Sequence, residues 1–346
     1  MKNDKMIIGL VRLGEFFNDF CSTSKDNFNE AQQRLFSLMK KAEIENPWFN
    51  EESFLYCFQH WANSLKEDKI KAWLKSYTIS SSPKKIGLIL AGNIPLVGFH
   101  DVICVLLSGN IPLIKLSSKD QVVLPFLLEK WNEFSKNQIH YHLVEKLENY
   151  DAVIATGSNN TARYLEYYFK NVPNIIRKNR TSVGVLSGNE TNEELQLLAE
   201  DIFRYFGLGC RNVTRLFIPE NMPLERLFEN FMNFKEVVNH HKYANNYDYN
   251  RAIYLLNQEK FWDNNFVMLK EDQKLFSPLS VINFSRYQNI SEVQNFLTHN
   301  ENDIQCVVAH PSLNLQDSLN FGEAQCPALN TYADNVDTME FLNQLA

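Results

Sequence analysis

Residues 86–114, IGLILAGNIPLVGFHDVICVLLSGNIPLI, are apolar almost throughout, and few folds can accept such a run. It is long enough to cross a bilayer. Two Asn-Ile-Pro tripeptides, Asn93–Pro95 and Asn110–Pro112, break it, and His100-Asp101 fall in its middle. A strand over 86–90, a tight loop over 91–95, a helix over 96–108, a stop at Gly109 and a strand over 112–117 account for it better. A parallel strand covered on both faces reads as continuous apolar sequence, so this is a βαβ unit and not a membrane span.

The flanking sequence extends the pattern. Residues 1–80 read as helical, as in FNEAQQRLFSLMKKAEIE, and SYTISSSPKK (76–85) reads as a linker. An amphipathic helix over 121–135 and a strand–loop–helix over 151–169 follow, which implies a doubly wound, mostly parallel sheet. After 178 the alternation restarts with a strand over 182–187, a helix over 192–206 and a strand over 213–218. Thr191 and Glu194 form a T-x-x-E capping box, and Gly207 is a natural stop. The chain of 346 residues is long enough for two domains. The expected division is a helical region with a Rossmann-type domain over 1–178, a smaller α/β domain over 179–325 and a closing segment over 326–346.

A net charge of −7 with no basic stripe argues against nucleic acid as a partner. The six cysteines show no CxxC pair, and His240-His241 has no third ligand at metal spacing, so no metal site is expected. The N-terminus lacks the apolar core and cleavage site of a signal peptide, which makes a cytoplasmic, reducing setting the expectation.

Among the cysteines, Cys210 draws attention by its place in FGLGCRNVTRLFIP, between a glycine-rich turn and a strand. It falls just past a helix C-terminus, a dipole end that disfavours a thiolate. Activation must come from elsewhere: Arg211, backbone donors, or bound substrate and cofactor.

Several motifs in fixed order set this cysteine in context. GLGC (207–210) resembles the G-Q-x-C nucleophile motif of the aldehyde dehydrogenase superfamily, with Leu208 replacing glutamine. GNIP (92–95) resembles that superfamily's W-N-F-P loop, IKLSS (114–118) its cofactor-binding strand end, and ATGSNNT (155–161) its pyrophosphate turn. KLFSPLSVI (274–282) is similar to E-x-F-G-P-x-x-x-V, with Lys274 for the glutamate and Ser277 for the glycine. FGEAQCPALNTYADNVDTMEFL (321–342) resembles the closing segment of the acyl-CoA reductase branch, the LuxC family typified by the reductase subunit of the bacterial bioluminescence fatty acid reductase. The likeness runs over about 83–346.

This resemblance implies an aldehyde-dehydrogenase-like α/β fold with Cys210 as nucleophile and Asn93 as oxyanion donor. A fixed neutral donor aimed at developing charge is worth about 3 kcal/mol. It implies Lys115 on the adenosine ribose, Gly157 and Ser158 beside the pyrophosphate, and Phe276 near the nicotinamide ribose. Ser118 stands where NAD-preferring relatives often carry glutamate, with Lys119 adjacent. That favours NADPH, with NADH possible. Aldehyde-oxidising members keep a general-base glutamate in E-L-G-G-K, whereas RKNR (177–180) occupies the corresponding place here. The implied reaction is therefore reduction of a long-chain acyl-CoA, or an acyl-protein thioester, to fatty aldehyde. An NAD(P)-dependent aldehyde dehydrogenase and a silent acyl-carrying or scaffold relative are the alternatives. A homo-oligomer and an acyl-protein synthetase partner are further implications of the family. Cys326, His100 and His310 are expected to be structural.

Overall fold

Asparagine caps set out the N-terminal helices. The computed structural model describes residues 2–80 and 82–345, and begins with α1 (Lys2–Ser22), α2 (Glu30–Glu45), α3 (Glu51–Ser64) and α4 (Glu67–Leu74). Asn29 accepts from Gln32 N–H while the Gln32 side chain accepts from Asn29 N–H, and Asn50 accepts from Ser53 N–H. Each cap satisfies an amide that the helix leaves open. Phe17 of α1 stacks on Phe58 of α3 at 4.9 Å, and both are fully buried.

The apolar run folds as β1 (Lys85–Ile89), α5 (Phe99–Leu107) and β2 (Ile111–Lys115). α6 (Val123–Phe134), β3 (His142–Leu143), β4 (Ala152–Thr156), α7 (Asn159–Phe169) and β5 (Asn174–Arg177) complete a parallel sheet of order β3-β2-β1-β4-β5. Every residue of α5 except His100 is buried, which is why its sequence is apolar all round. Among the described residues no helix is long and apolar enough to cross a membrane. α5 starts at Phe99 rather than 96, because Leu96 is left-handed (φ 55°) and Gly98 is the N-cap.

A second, six-stranded sheet is built from β6 (Thr181–Val185), α8 (Asn192–Phe203), β7 (Val213–Pro219), α9 (Glu225–Phe231), α10 (His241–Leu256), β8 (Trp262–Asp263), β9 (Met268–Glu271), β10 (Val281–Tyr287), α11 (Ile290–His299) and β11 (Ile304–Ala309). Its order is β11-β6-β7-β10-β9-β8, parallel except for the β8–β9 pair. The capping box at Thr191 and Glu194 is formed. Leu195, Leu198 and Ile202 of α8 bury against β7 and β10 residues such as Leu216 and Phe284.

The chain divides into two compact units, Met1–Lys178 with Ala328–Ala346, and Asn179–Pro327. The last helix, α12 (Thr338–Asn343), belongs to the first unit. The closing segment is thus cut between the two: residues 321–327 pack in the second and the remainder in the first.

Candidate functional site

In the first unit the implicated residues gather at the carboxyl ends of parallel strands, where doubly wound sheets bind ligands. Lys115 ends β2, Asn93 follows β1, and Gly157-Ser158 follow β4. Asn93 is exposed on its loop. A Cβ on Gly92 would come within 2.6 Å of Ser117 Oγ, so only glycine lets this loop press against the Ser117–Asp120 turn. Ser118 and Lys119 form the exposed tip of that turn, closed by Asp120 N–H to Ser117 O at 3.0 Å.

Two further residues hold this corner, and neither stood out in the sequence. The buried Asn46 side chain donates to Gly92 O (3.4 Å) and Lys119 O (3.3 Å), tying the loop to the turn. Asp120 is buried, and its carboxyl accepts from Leu96 N–H while Oδ1 has no partner. Burial pushes its pKa up to about 7 against the opposing pull of the Leu96 amide.

A cofactor fits these strand ends. Lys115 Nζ donates to Glu145 O at 2.6 Å and lines a pocket of about 230 Å³ with Ile89, Leu147, Leu165 and Tyr168. This apolar slot with a cation at its rim suits a nucleoside. Ser158 caps α7 by accepting from Thr161 N–H, which fixes the helix start where a phosphate would dock. A Cβ on Gly157 would meet Thr161 Cβ at 2.9 Å, so the turn approaches its helix as only glycine allows.

Arg177 is the first residue of RKNR, and it is buried. Its guanidinium pairs with Asp101 of α5 at 2.5 Å and donates to Thr338 Oγ1 at 3.0 Å. Arg177 is therefore a cation fixed in a buried ion pair.

In the second unit Cys210 and Phe276 lie at the same end of the sheet, ahead of the neighbouring parallel strands β7 and β10. α8 ends at Phe203, not 206, because Arg204 is extended and Tyr205 and Phe206 are left-handed (φ 54° and 60°). Gly207 and Gly209 also have positive φ (77° and 102°), a run that folds the chain tightly into the cysteine. Six residues, 204–209, separate the helix end from Cys210. A helix dipole fades within its last turn, so the objection to a thiolate there loses its force.

Cys210 is half-buried, and its carbonyl accepts from Ser182 Oγ at 3.1 Å; Ser182 Oγ is also 3.1 Å from Cys306 Sγ. No disulfide links any of the cysteines. Burial raises the pKa of Cys306.

The start of the closing segment clamps this loop. Asp201, fully buried on α8, accepts from Gly322 N–H (2.6 Å) and Ala324 N–H (2.9 Å). Gln325 Nε2 donates to Arg211 O (3.2 Å), and Arg211 Nη1 donates to Ala324 O (3.3 Å). Residues 322–325 thus bracket the residue that follows Cys210. Burial raises the pKa of Asp201 to about 7, opposed by the two amides.

Phe276 is 43% exposed, at the surface where a ligand could reach it. Its loop is held by Arg215, which is fully buried, lies over the Phe217 and Phe296 rings and donates to Asp272 O (2.7 Å) and Lys274 O (2.9 Å). Desolvation lowers the Arg215 pKa to about 10. Ser277 Oγ lies within hydrogen-bond reach of both Thr214 O and Val281 O, so its hydroxyl pins the loop to both strands.

The remaining candidates have structural partners. His100 Nε2 lies 2.8 Å from Leu329 O and its ring stacks on Trp73, while His310 caps the turn at Pro311–Leu313. Cys326 is exposed. Among the described residues no His, Cys, Asp and Glu group could hold a metal ion.

The family described as acyl-CoA reductase (LuxC) matches residues 65–318, well over half of the chain. No match was found among curated proteins. Solved structures of aldehyde dehydrogenases share the fold. Aldehyde dehydrogenase 21 from Physcomitrella patens, in complex with the reaction product succinate, superposes with a TM-score of 0.65 at 10% identity, over 99% of this chain and 87% of that one. An acetylating aldehyde dehydrogenase from Geobacillus thermoglucosidasius gives 0.62 at 10% identity, over 98% and 89%. An indole-3-acetaldehyde dehydrogenase complexed with NAD+ gives 0.62 at 11% identity, over 99% and 75%.

Proposed function

Because the chain belongs to the acyl-CoA reductase (LuxC) family, an oxidoreductase family working at the aldehyde and acyl level, we propose that it reduces long-chain acyl thioesters to fatty aldehydes through Cys210. The observation that carries this reading is Arg177. Where aldehyde-oxidising relatives of the superfamily keep a general base for water, this chain has a guanidinium locked to Asp101. The RKNR segment itself supplies no carboxylate that could activate water for hydrolysis of an acyl-enzyme.

In this mechanism the Cys210 thiolate attacks the thioester carbonyl and expels the substrate thiolate, splitting one hard step into two easier ones. The Asn93 amide donates to the oxyanion. Arg211 and Gln325, clamped through Asp201 and residues 322–324, hold the backbone that presents the sulfur. Lys115 would hold the adenosine ribose of a dinucleotide, Gly157 and Ser158 its pyrophosphate, and Phe276 its nicotinamide ribose. That cofactor supplies hydride to the acyl group when bound. The Ser118-Lys119 tip carries no carboxylate and one exposed cation, which supports NADPH over NADH. Residues 1–178 would then serve as the cofactor-binding part and 179–325 as the catalytic part.

Intact mass after incubation with palmitoyl-CoA tests the reading, with Cys210→Ala alongside. One palmitoyl adduct is expected on the wild type and none on the variant. NADPH should discharge it as aldehyde, faster than equimolar NADH. An adduct that neither cofactor discharges would favour an acyl carrier, and an adduct on Cys210→Ala would move the nucleophile elsewhere.

A further inference from the structure

The loop that carries Asn93 is gripped from outside at three points, all within the first unit. Asn46 Nδ2 donates to Gly92 O at 3.4 Å, Cys57 Sγ lies 3.5 Å from Pro95 O, and the Asp120 carboxyl accepts from Leu96 N–H. Gly92, Pro95 and Leu96 are buried, whereas Asn93 between them is exposed. Leu96 is left-handed (φ 55°), a conformation that leucine keeps only where its surroundings impose it. The grip thus fixes the residues on either side of Asn93 and leaves Asn93 itself at the surface.

Two of the three gripping side chains come from the N-terminal helices, since Asn46 follows α2 and Cys57 lies on α3. The sequence dictates the place of Asn46. Pro47 follows it, and the helical region is disfavoured for a residue before proline. Helix α2 accordingly ends at Glu45, and Asn46 is extended (φ −137°, ψ 96°). Asn46 is buried, and all its hydrogen-bonding groups are used. Its N–H donates to Ala42 O, its carbonyl accepts from Phe49 N–H, and Oδ1 accepts from Trp48 N–H at 3.4 Å. Nδ2 carries two hydrogens and meets two carbonyls, Gly92 O and Lys119 O (3.3 Å). Neither carbonyl can move away without leaving a buried donor unmet. The two carbonyls belong to segments with different tasks in the reading above: the loop of the oxyanion donor, and the turn whose tip is Ser118-Lys119.

We propose that Asn46 is a positioning residue that holds Asn93 and the Ser118-Lys119 turn in one frame, so that a ribose 2′-phosphate docked on the turn also steadies the oxyanion donor. The assignment rests on the acyl-thioester reading above. It gives the N-terminal helical region a part in the reaction as well as in the core.

The test uses full-length Asn46→Ala, with Gly92→Ala as a second variant that keeps Asn46 and forces a methyl group between loop and turn. Without cofactor, amide exchange over 91–97 and over 116–120 should be faster in both variants than in the wild type. Saturating NADPH should slow exchange over both segments in the wild type, and should no longer protect 91–97 in the variants. Asn46→Ala should weaken NADPH binding more than NADH binding, because only NADPH brings a phosphate to the turn. Acylation of Cys210 by palmitoyl-CoA should be about three- to tenfold slower in Asn46→Ala, the range for one neutral hydrogen bond. In an Asn93→Ala background the same change should add less than about twofold, since Asn46 acts through Asn93. An undiminished effect in that background would overturn the proposal. So would a lowered melting temperature with exchange over 91–97 and acylation unchanged, which would leave Asn46 a packing residue. If palmitoyl-CoA acylates neither wild type nor variant, the reductase reading falls, while exchange without cofactor still decides whether Asn46 joins the two segments.

Discussion

Asp120 shows how a single residue can tie the candidate site to pH. Its carboxyl is buried against the loop that carries Asn93, with one amide donor and one orphaned oxygen, and its pKa is about 7. A raised carboxyl pKa means the folded state prefers the proton. The burial penalty is absent below the unfolded pKa near 4 and grows as pH rises toward 7. Above that it is complete, at about 4 kcal/mol by linkage. Asp201 titrates in the same window. Asp120→Asn, which keeps an acceptor for Leu96 N–H, should therefore be more stable than the wild type at pH 8 and closer to it at pH 4. Denaturant midpoints across that range should show a shallower slope, with Asp201 keeping the slope from vanishing. An unchanged slope would assign the pH dependence elsewhere.

At the level of elements, the segment 321–327 acts as a brace between the end of α8 and the cysteine loop. Both Asp201 oxygens accept backbone N–H groups, so Asp201→Asn sets its own NH₂ against one of those donors. The expected cost is about 1–3 kcal/mol, the penalty for leaving a buried donor unmet. If the brace positions Cys210, kcat and the rate of Cys210 alkylation should both fall while the affinity for dinucleotide is kept. A variant that is less stable yet unchanged in both rates would show the brace to be structural only. The same logic explains Ser277, whose hydroxyl joins the Phe276 loop to two strands.

For the molecule as a whole, the chain end is a structural part of the first unit. Tyr332 Oη accepts from Trp73 Nε1 at 2.7 Å and donates to Tyr77, Asp337 accepts from Tyr77, and Thr338 Oγ1 accepts from Arg177. Ending the chain after Pro327 would remove these partners and uncover α5. Hydrogen exchange should then lose protection over 85–177 by more than it does over 181–309. Equal loss in both units would show that they fold as one.

Much of the architecture could be read from the sequence because it rests on local rules. The βαβ run, the Thr191 capping box and the alternation after 178 follow from burial periodicity and capping, which act over a few residues. The glycines around Cys210 were legible for the same reason, since positive φ is a local demand. Three things were not legible. The end of α8 at Phe203 depends on left-handed Tyr205 and Phe206, a conformation that side chains of this kind adopt only when packing around them imposes it. Asn46, Asp120 and Asp201 are ordinary polar residues in sequence, and each acts on a backbone segment distant along the chain. The unpartnered Tyr243 Oη and Asn212 Oδ1 depend on which elements enclose them. Sequence by itself determined the βαβ run, the alternation after 178 and the glycine-rich turn that precedes Cys210. Tertiary structure alone decided what surrounds that turn, because desolvation and hydrogen-bond satisfaction depend on which groups meet in space.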